Sequence, residues 1–153
     1  MVNKWDLVTK ETNTAIEFEK KLHLRVPSLR WVPMIFTSAL TGQRVHKVLD
    51  MIVEVAEQRN RRIPTREVNE VIRELVTRIH PPHYRGMPIR IMYATQAATA
   101  PPTFVLFVNH AKGVPEHYMR YLTNGFRAAW KFSGTPLRLR LKGRREKEPE
   151  SGR

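Results

Sequence analysis

Thr103-Phe104-Val105-Leu106-Phe107-Val108 is a run of six β-prone residues, all apolar but the first, bounded by Pro101-Pro102 before it and Asn109 after it. A run so short and so apolar reads as a buried strand, and the expectation is a central strand packed on both faces. Such a strand needs partners and a cover, and the flanking sequence offers both. Upstream, Val68, Val71, Ile72, Leu75, Val76 and Ile79 recur at helical spacing, with Pro64 suited to the first turn and Pro81-Pro82 ending the pattern. Ile89, Ile91 and Tyr93 then alternate with Arg90, Met92 and Ala94, which predicts a strand with one buried face.

Downstream, Glu116 to Trp130 reads as a second helix, with Tyr118, Tyr121, Leu122 and Ala129 near one face and Gly134-Thr135-Pro136 closing it off. Leu137, Leu139 and Leu141 alternate with Arg138, Arg140 and Lys142 in a last strand. The predicted order over residues 64–142 is α-β-β-α-β, an α+β unit with helices on one face of a three-stranded sheet. Tyr118, Tyr121 and Trp130 are expected in the core, as are Phe104 and Phe107.

The first 58 residues alternate strand and helix instead. Met1-Val2 and Val32-Pro33-Met34-Ile35-Phe36 read as strands. Thr12 or Asn13 caps a short helix bearing Ala15, Phe18 and Leu22, which Pro27 helps stop. Gly42 opens a longer helix whose stripe of Val45, Val48, Leu49, Ile52 and Ala56 is left uncovered with so few strands to pack on. Just past the two strands stand Asn3-Lys4-Trp5-Asp6 and Thr37-Ser38-Ala39-Leu40, where α/β folds place ligands.

These two tetrapeptides have the chemistry of guanine recognition. Guanine offers neighbouring N–H donors at N1 and N2, and an ionised Asp6 can accept both. Asn3 hydrogen-bonds within the pocket, the methylenes of Lys4 lie along the base, and the Ala39 N–H reaches guanine O6. A simple turn after a strand, capped by Asp6, would use the same residues.

The chain resembles the bacterial tandem-GTPase family called Der or EngA, from the end of the second GTPase domain through the KH-like domain. The resemblance rests on Asn3-Lys4-Trp5-Asp6, Phe36-Thr37-Ser38-Ala39-Leu40-Thr41-Gly42-Gln43, Arg61-Arg62-Ile63-Pro64-Thr65, Tyr93-Ala94-Thr95-Gln96, Pro101-Pro102-Thr103 through Asn109, and Gly134-Thr135-Pro136-Leu137-Arg138-Leu139. It implies an α/β remnant of a P-loop GTPase domain at 1–58, a linker at 59–63, a KH-like domain at 64–142 and a disordered charged tail at 143–153. Asn3, Lys4, Asp6, Ser38, Ala39 and Leu40 would contact guanine. The implied cofactor is GTP with Mg²⁺ in the intact protein, and the implied partners are the remaining GTPase domains and the large ribosomal subunit with its RNA.

No G-x-x-x-x-G-K-[ST] occurs in the sequence, and that loop supplies the phosphate-binding N–H groups, the lysine and the Mg²⁺ hydroxyl. The expectation is a fragment of a larger GTPase that does not hydrolyse GTP alone, with Met1 an artificial or misassigned start. Nor is there a G-x-x-G, the loop with which KH domains clamp single strands. RNA contact by position and phosphate neutralisation remains open. A stand-alone RNA-binding module and a protein-interaction domain that docks on a GTPase are the alternatives.

Charge locates the polyanion-facing part. Residues 1–60 carry 9 Lys/Arg against 7 Asp/Glu, while residues 61–153 carry 18 against 7, so nearly all of the net +13 lies in the second segment. RNA is the expected partner of such a field. Arg138, Arg140 and Lys142 share a strand face, continued by Arg144 and Arg145, and read as a phosphate-tracking strip or a solvated outer face. Arg59, Arg61 and Arg62 read as a solvated linker. His80 and His83 lack the further ligands zinc needs, so no metal site is expected and no catalytic residue is assigned. The chain has no cysteine, signal peptide or apolar run of spanning length, and the expected setting is cytoplasmic, away from membranes.

Overall fold

A computed structural model of the protein describes residues 1–9 and 11–143, which fold as two compact units. Among the described residues, the first comprises 1–61 with 131–136, and the second 62–130 with 137–143.

In the first unit, the two expected strands reduce to a single parallel bridge between Val2 and Phe36. Val2 N–H donates to the Ile35 carbonyl, Thr37 N–H to that of Val2, both at 2.8 Å, and Trp5 N–H to that of Thr37 at 3.0 Å. Helix α1 (Thr14–Arg25) follows, and Val26 leaves it in an extended conformation because Pro27 disfavours helical geometry in the residue before it. Its Phe18 meets Trp5 and Phe36 edge-on at 5.7 and 5.8 Å. Trp5 and Phe36 themselves sit 4.3 Å apart and are 5% and 6% exposed, the centre of this small core.

Helix α2 (His46–Asn60) buries no residue; of the expected stripe Val45, Leu49, Ile52 and Ala56 are exposed and Val48 is half-buried. The helix runs through Asn60, so part of the stretch read as a linker is helical. Residues 131–136 return to this unit, where Phe132 is fully buried and Gly134 N–H donates to the Trp31 carbonyl at 3.0 Å. Gly134 has φ +70°, and a Cβ there would stand 2.4 Å from a Val55 methyl, so only glycine fits.

The second unit begins with helix α3 (Thr65–Arg78), which buries Val68, Ile72 and Leu75 at the i, i+4, i+7 spacing of one face. Ile79 is already extended and exposed. Strands β1 (His83–Tyr84) and β2 (Met87–Pro88) form a small hairpin whose turn residues, Arg85 and Gly86, both have positive φ, as a two-residue turn matched to strand twist requires. Strand β3 (Ile91–Ala98) pairs antiparallel with β4 (Thr103–Val108). Helix α4 (Glu116–Trp130) crosses to β5 (Arg138–Gly143), which lies parallel to β4. The sheet order is β3-β4-β5.

One face of the sheet forms the core. Ala94, Phe104, Leu106 and Val108 are fully buried, and Gln96 nearly so. From α4 come Tyr118, Leu122, Phe126 and Trp130, with the Trp130 ring parallel to Phe104 at 5.6 Å and Phe126 edge-on to both at 5.0 Å. Each such side chain contributes about 1.5–3 kcal/mol by leaving water. The helical stripe turns through Phe126 and Trp130, while Ala129, expected on it, is exposed.

Two strand expectations are corrected. The run Thr103–Val108 is not packed on both faces, because Val105 and Phe107 are only half-buried on the side away from the buried Phe104, Leu106 and Val108. Tyr93 does not continue the face of Ile91. A bulge leaves Met92 unpaired between the Ile91–Val108 and Tyr93–Phe107 pairs, and from there Tyr93 lies on the outer face while Ala94 and Gln96 point inward.

Candidate functional site

The loops of residues 3–6 and 38–40 are brought together in the first unit. Asn3 Oδ1 accepts the Ala39 N–H at 3.1 Å, Ser38 Oγ donates to Asp6 Oδ1, and the same Ser38 oxygen accepts the Thr41 N–H at 3.2 Å. Lys4 takes a left-handed conformation, φ 61° and ψ 35°, which turns the chain so that Trp5 enters the core while Asn3 stays exposed and Asp6 half-buried. A cavity of about 290 Å³ lies between the loops, lined by Asn3, Lys4, Asp6, Leu7, Ala39 and Leu40. Its acceptor, Asp6, and its apolar wall of Leu7 and Leu40 suit a flat base with paired N–H donors. The Ala39 N–H, expected to reach guanine O6, is engaged by Asn3.

Trp5 is the residue that sequence reasoning passed over here. Its burial against Phe18 and Phe36 is what anchors the loop. The available signal was a tryptophan, a residue that rarely occupies an exposed turn without a packing reason.

In the second unit, Arg138, Arg140 and Lys142 are exposed along β5, with Leu139 and Leu141 half-buried between them. Arg144 and Arg145 lie outside the described residues. The ion pairs Arg66–Glu70 and Arg120–Glu116 among the described residues do not involve these three cations. In register with Lys142 stand Phe107 and Tyr93, and in register with Arg140 stand Val105 and Thr95. The end of β5 delivers Gly143 to a second cavity, of about 300 Å³, whose walls among the described residues include Tyr84, Arg85, His110 and Lys112 and no carboxylate. There the Arg85 guanidinium lies 5.4 Å from the Tyr84 ring centroid.

Three amide side chains of the second unit serve as clasps. Asn69 of α3 holds both backbone groups of Ala94, and Gln96 Oε1 accepts the Ile63 N–H at 2.7 Å. Asn109 accepts the N–H groups of Arg90 and His110 and donates to the Pro88 carbonyl, tying the small hairpin to the sheet. Burial pushes the Tyr118 hydroxyl up to about 12, with Tyr121 adding to it, and burial lowers the Arg127 pKa. Among the described residues no group of three or more His, Cys, Asp or Glu is placed to hold a metal ion, and no helix is long and apolar enough to cross a membrane.

Fold and site together define a two-part protein: an α/β piece presenting two hydrogen-bonded loops around a cavity, then a KH-like α+β unit with a basic outer strand. The family described as the C-terminal KH-domain-like region of EngA bacterial GTPase enzymes matches residues 62–142, and the chain belongs to that family. It is 48% identical, over 93% of its length, to a protein of Gemmatimonas aurantiaca named GTPase Der. Proteins of the same name from a Synechococcus species and from Moorella thermoacetica are 47% and 44% identical over 99% and 96% of the chain. The chain spans about a third of the length of these curated relatives.

Proposed function

We propose that this chain is the C-terminal part of a GTP-binding protein acting in assembly of the large ribosomal subunit, with residues 1–58 ending a GTPase domain, 59–63 a linker and 64–142 the KH-like domain. Asn3, Lys4, Asp6, Ser38, Ala39 and Leu40 read the guanine base, Asp6 by accepting its N1 and N2 protons. Phosphate and Mg²⁺ binding, and so hydrolysis, belong to a preceding portion of the protein. The basic outer strand, with Arg138, Arg140 and Lys142, contacts ribosomal RNA, and the setting is the cytoplasm.

The observation that supports this reading most is the hydrogen-bonded meeting of residues 3–6 with residues 38–41 around one cavity. Such a cavity offers a base its specificity contacts but few of the contacts that give tight binding, since a GTP molecule's charge resides in its phosphates. The test is a titration. This chain alone shows no saturable GTP binding at micromolar concentrations, whereas a longer protein that adds the preceding GTPase portion binds GTP and rejects ATP. Equal binding of ATP and GTP by the longer protein would sink the assignment.

A further inference from the structure

The outer face of the sheet displays two aromatic rings that do not fill the core. Tyr93 on β3 and Phe107 on β4 are in register, with ring centroids 4.2 Å apart and planes 12° from parallel. On the other side of Phe107 in the strand order, Lys142 of β5 sets its Nζ 5.4 Å from the ring centroid. The row across the three strands is cation, ring, ring. Tyr93 ends it on the edge strand, and with one face against Phe107 it is still 46% exposed.

A sheet face turned to water is ordinarily polar, so a ring column standing on it calls for an occupant. The chemistry of that occupant follows from the neighbours. A flat ring with a free face adds a further aromatic layer most readily. Beside it, Arg138, Arg140 and Lys142 recur at every second residue of β5, roughly 6.6 Å apart, close to the repeat of phosphates in an extended single strand. Their strand leads to the cavity walled by Arg85, His110 and Lys112, so the positive field continues beyond it. A ligand that joins flat rings to regularly spaced negative charges is an unpaired polynucleotide. A duplex keeps its base faces stacked inside and cannot offer one.

We propose that this face binds single-stranded RNA by stacking a base on Tyr93 while the β5 cations take the neighbouring phosphates. This uses the sheet surface and needs no G-x-x-G loop. It rests on the reading of the basic strand as an RNA contact, and adds to it a residue and a mode.

The experiment uses the whole 153-residue chain and a single-stranded RNA of about 12 nucleotides containing 2-aminopurine, with the same strand annealed to its complement as a second ligand. The wild-type chain should quench the fluorescent base and prefer the single strand. Tyr93→Ala should lose the quenching and roughly ten-fold or more in affinity, with its salt dependence unchanged, while Tyr93→Phe keeps both properties. Arg140→Gln and Lys142→Gln should each reduce the salt slope by about one. Binding that Tyr93→Ala leaves intact overturns the stacking inference and lets the basic-strand reading stand. No binding of the single strand by the wild-type chain overturns both.

Discussion

Asn69 and Ala94 are joined by a two-point clasp: the Asn69 Oδ1 accepts the Ala94 N–H and its Nδ2 donates to the Ala94 carbonyl, each at 2.9 Å. A side-chain amide thus does for the edge strand β3 what another strand would do, and it fixes α3 against the sheet at the same time. Asn69→Ala leaves a part-buried N–H and C=O without partners, which costs about 2–3 kcal/mol. The urea midpoint of the second unit should fall accordingly. Asn69→Asp should be little better, because it removes the donor and turns an oxygen toward the Ala94 carbonyl. An unchanged midpoint for either variant would show that the clasp is incidental.

Tyr118 gives the fold an alkaline limit. Its hydroxyl donates to the Ile79 carbonyl at 2.8 Å, and its pKa is raised from 10.0 to about 12, chiefly by burial. A raised pKa means that the folded state keeps a proton the unfolded chain has already released. The contribution is whole below about pH 10 and is lost as pH rises through about 12. Thermal unfolding followed across that window should show the decline. Tyr118→Phe should flatten it, while costing about 1 kcal/mol at neutral pH for the lost hydrogen bond.

Gly113 leaves room for the Tyr84 ring. A Cβ at position 113 would lie 2.4 Å from Tyr84 Cγ and 2.5 Å from its Cβ, so Gly113→Ala must push the hairpin of β1 and β2 away. The cost expected for such overpacking is about 1–3 kcal/mol. Amide hydrogen exchange should accelerate at Tyr84 and Arg85 and leave α3 protected. Uniform acceleration across the second unit would contradict this local account.

Asp6 sets base preference in the proposed pocket. In a protein that joins this chain to its preceding GTPase portion, Asp6→Asn exchanges an acceptor for a donor opposite the N2 position. GTP binding should weaken by up to about 10⁴-fold, and xanthosine triphosphate, which carries a carbonyl there, should bind instead. Competition between the two nucleotides measures the exchange directly. Retained guanine preference would remove Asp6 from its assigned role.

Local pattern was enough to place much of this molecule. The span Glu116–Trp130 and the strand at Thr103–Val108 coincide with the observed elements, because helical periodicity, β-branching and flanking prolines act within a few residues of themselves. The uncovered stripe on α2 was legible for the same reason, as were the two loops that meet at Ser38 and Asp6.

What the sequence determined by itself, then, was the long helices and the principal strands of the second unit, and which residues could carry charge or read a base. Only the tertiary structure decided which faces are covered. Side chains on a strand alternate with a period of two, so the single unpaired Met92 sends Tyr93 outward to stack on Phe107, and nothing local to β3 announces that bulge. Whether Val105 and Phe107 are enclosed depends on there being a second layer, and the covering helix α4 packs on the side of Phe104. Asn69, Gln96 and Asn109 became clasps because these partners lie 19 to 33 positions away in the chain, a relationship that periodicity cannot encode.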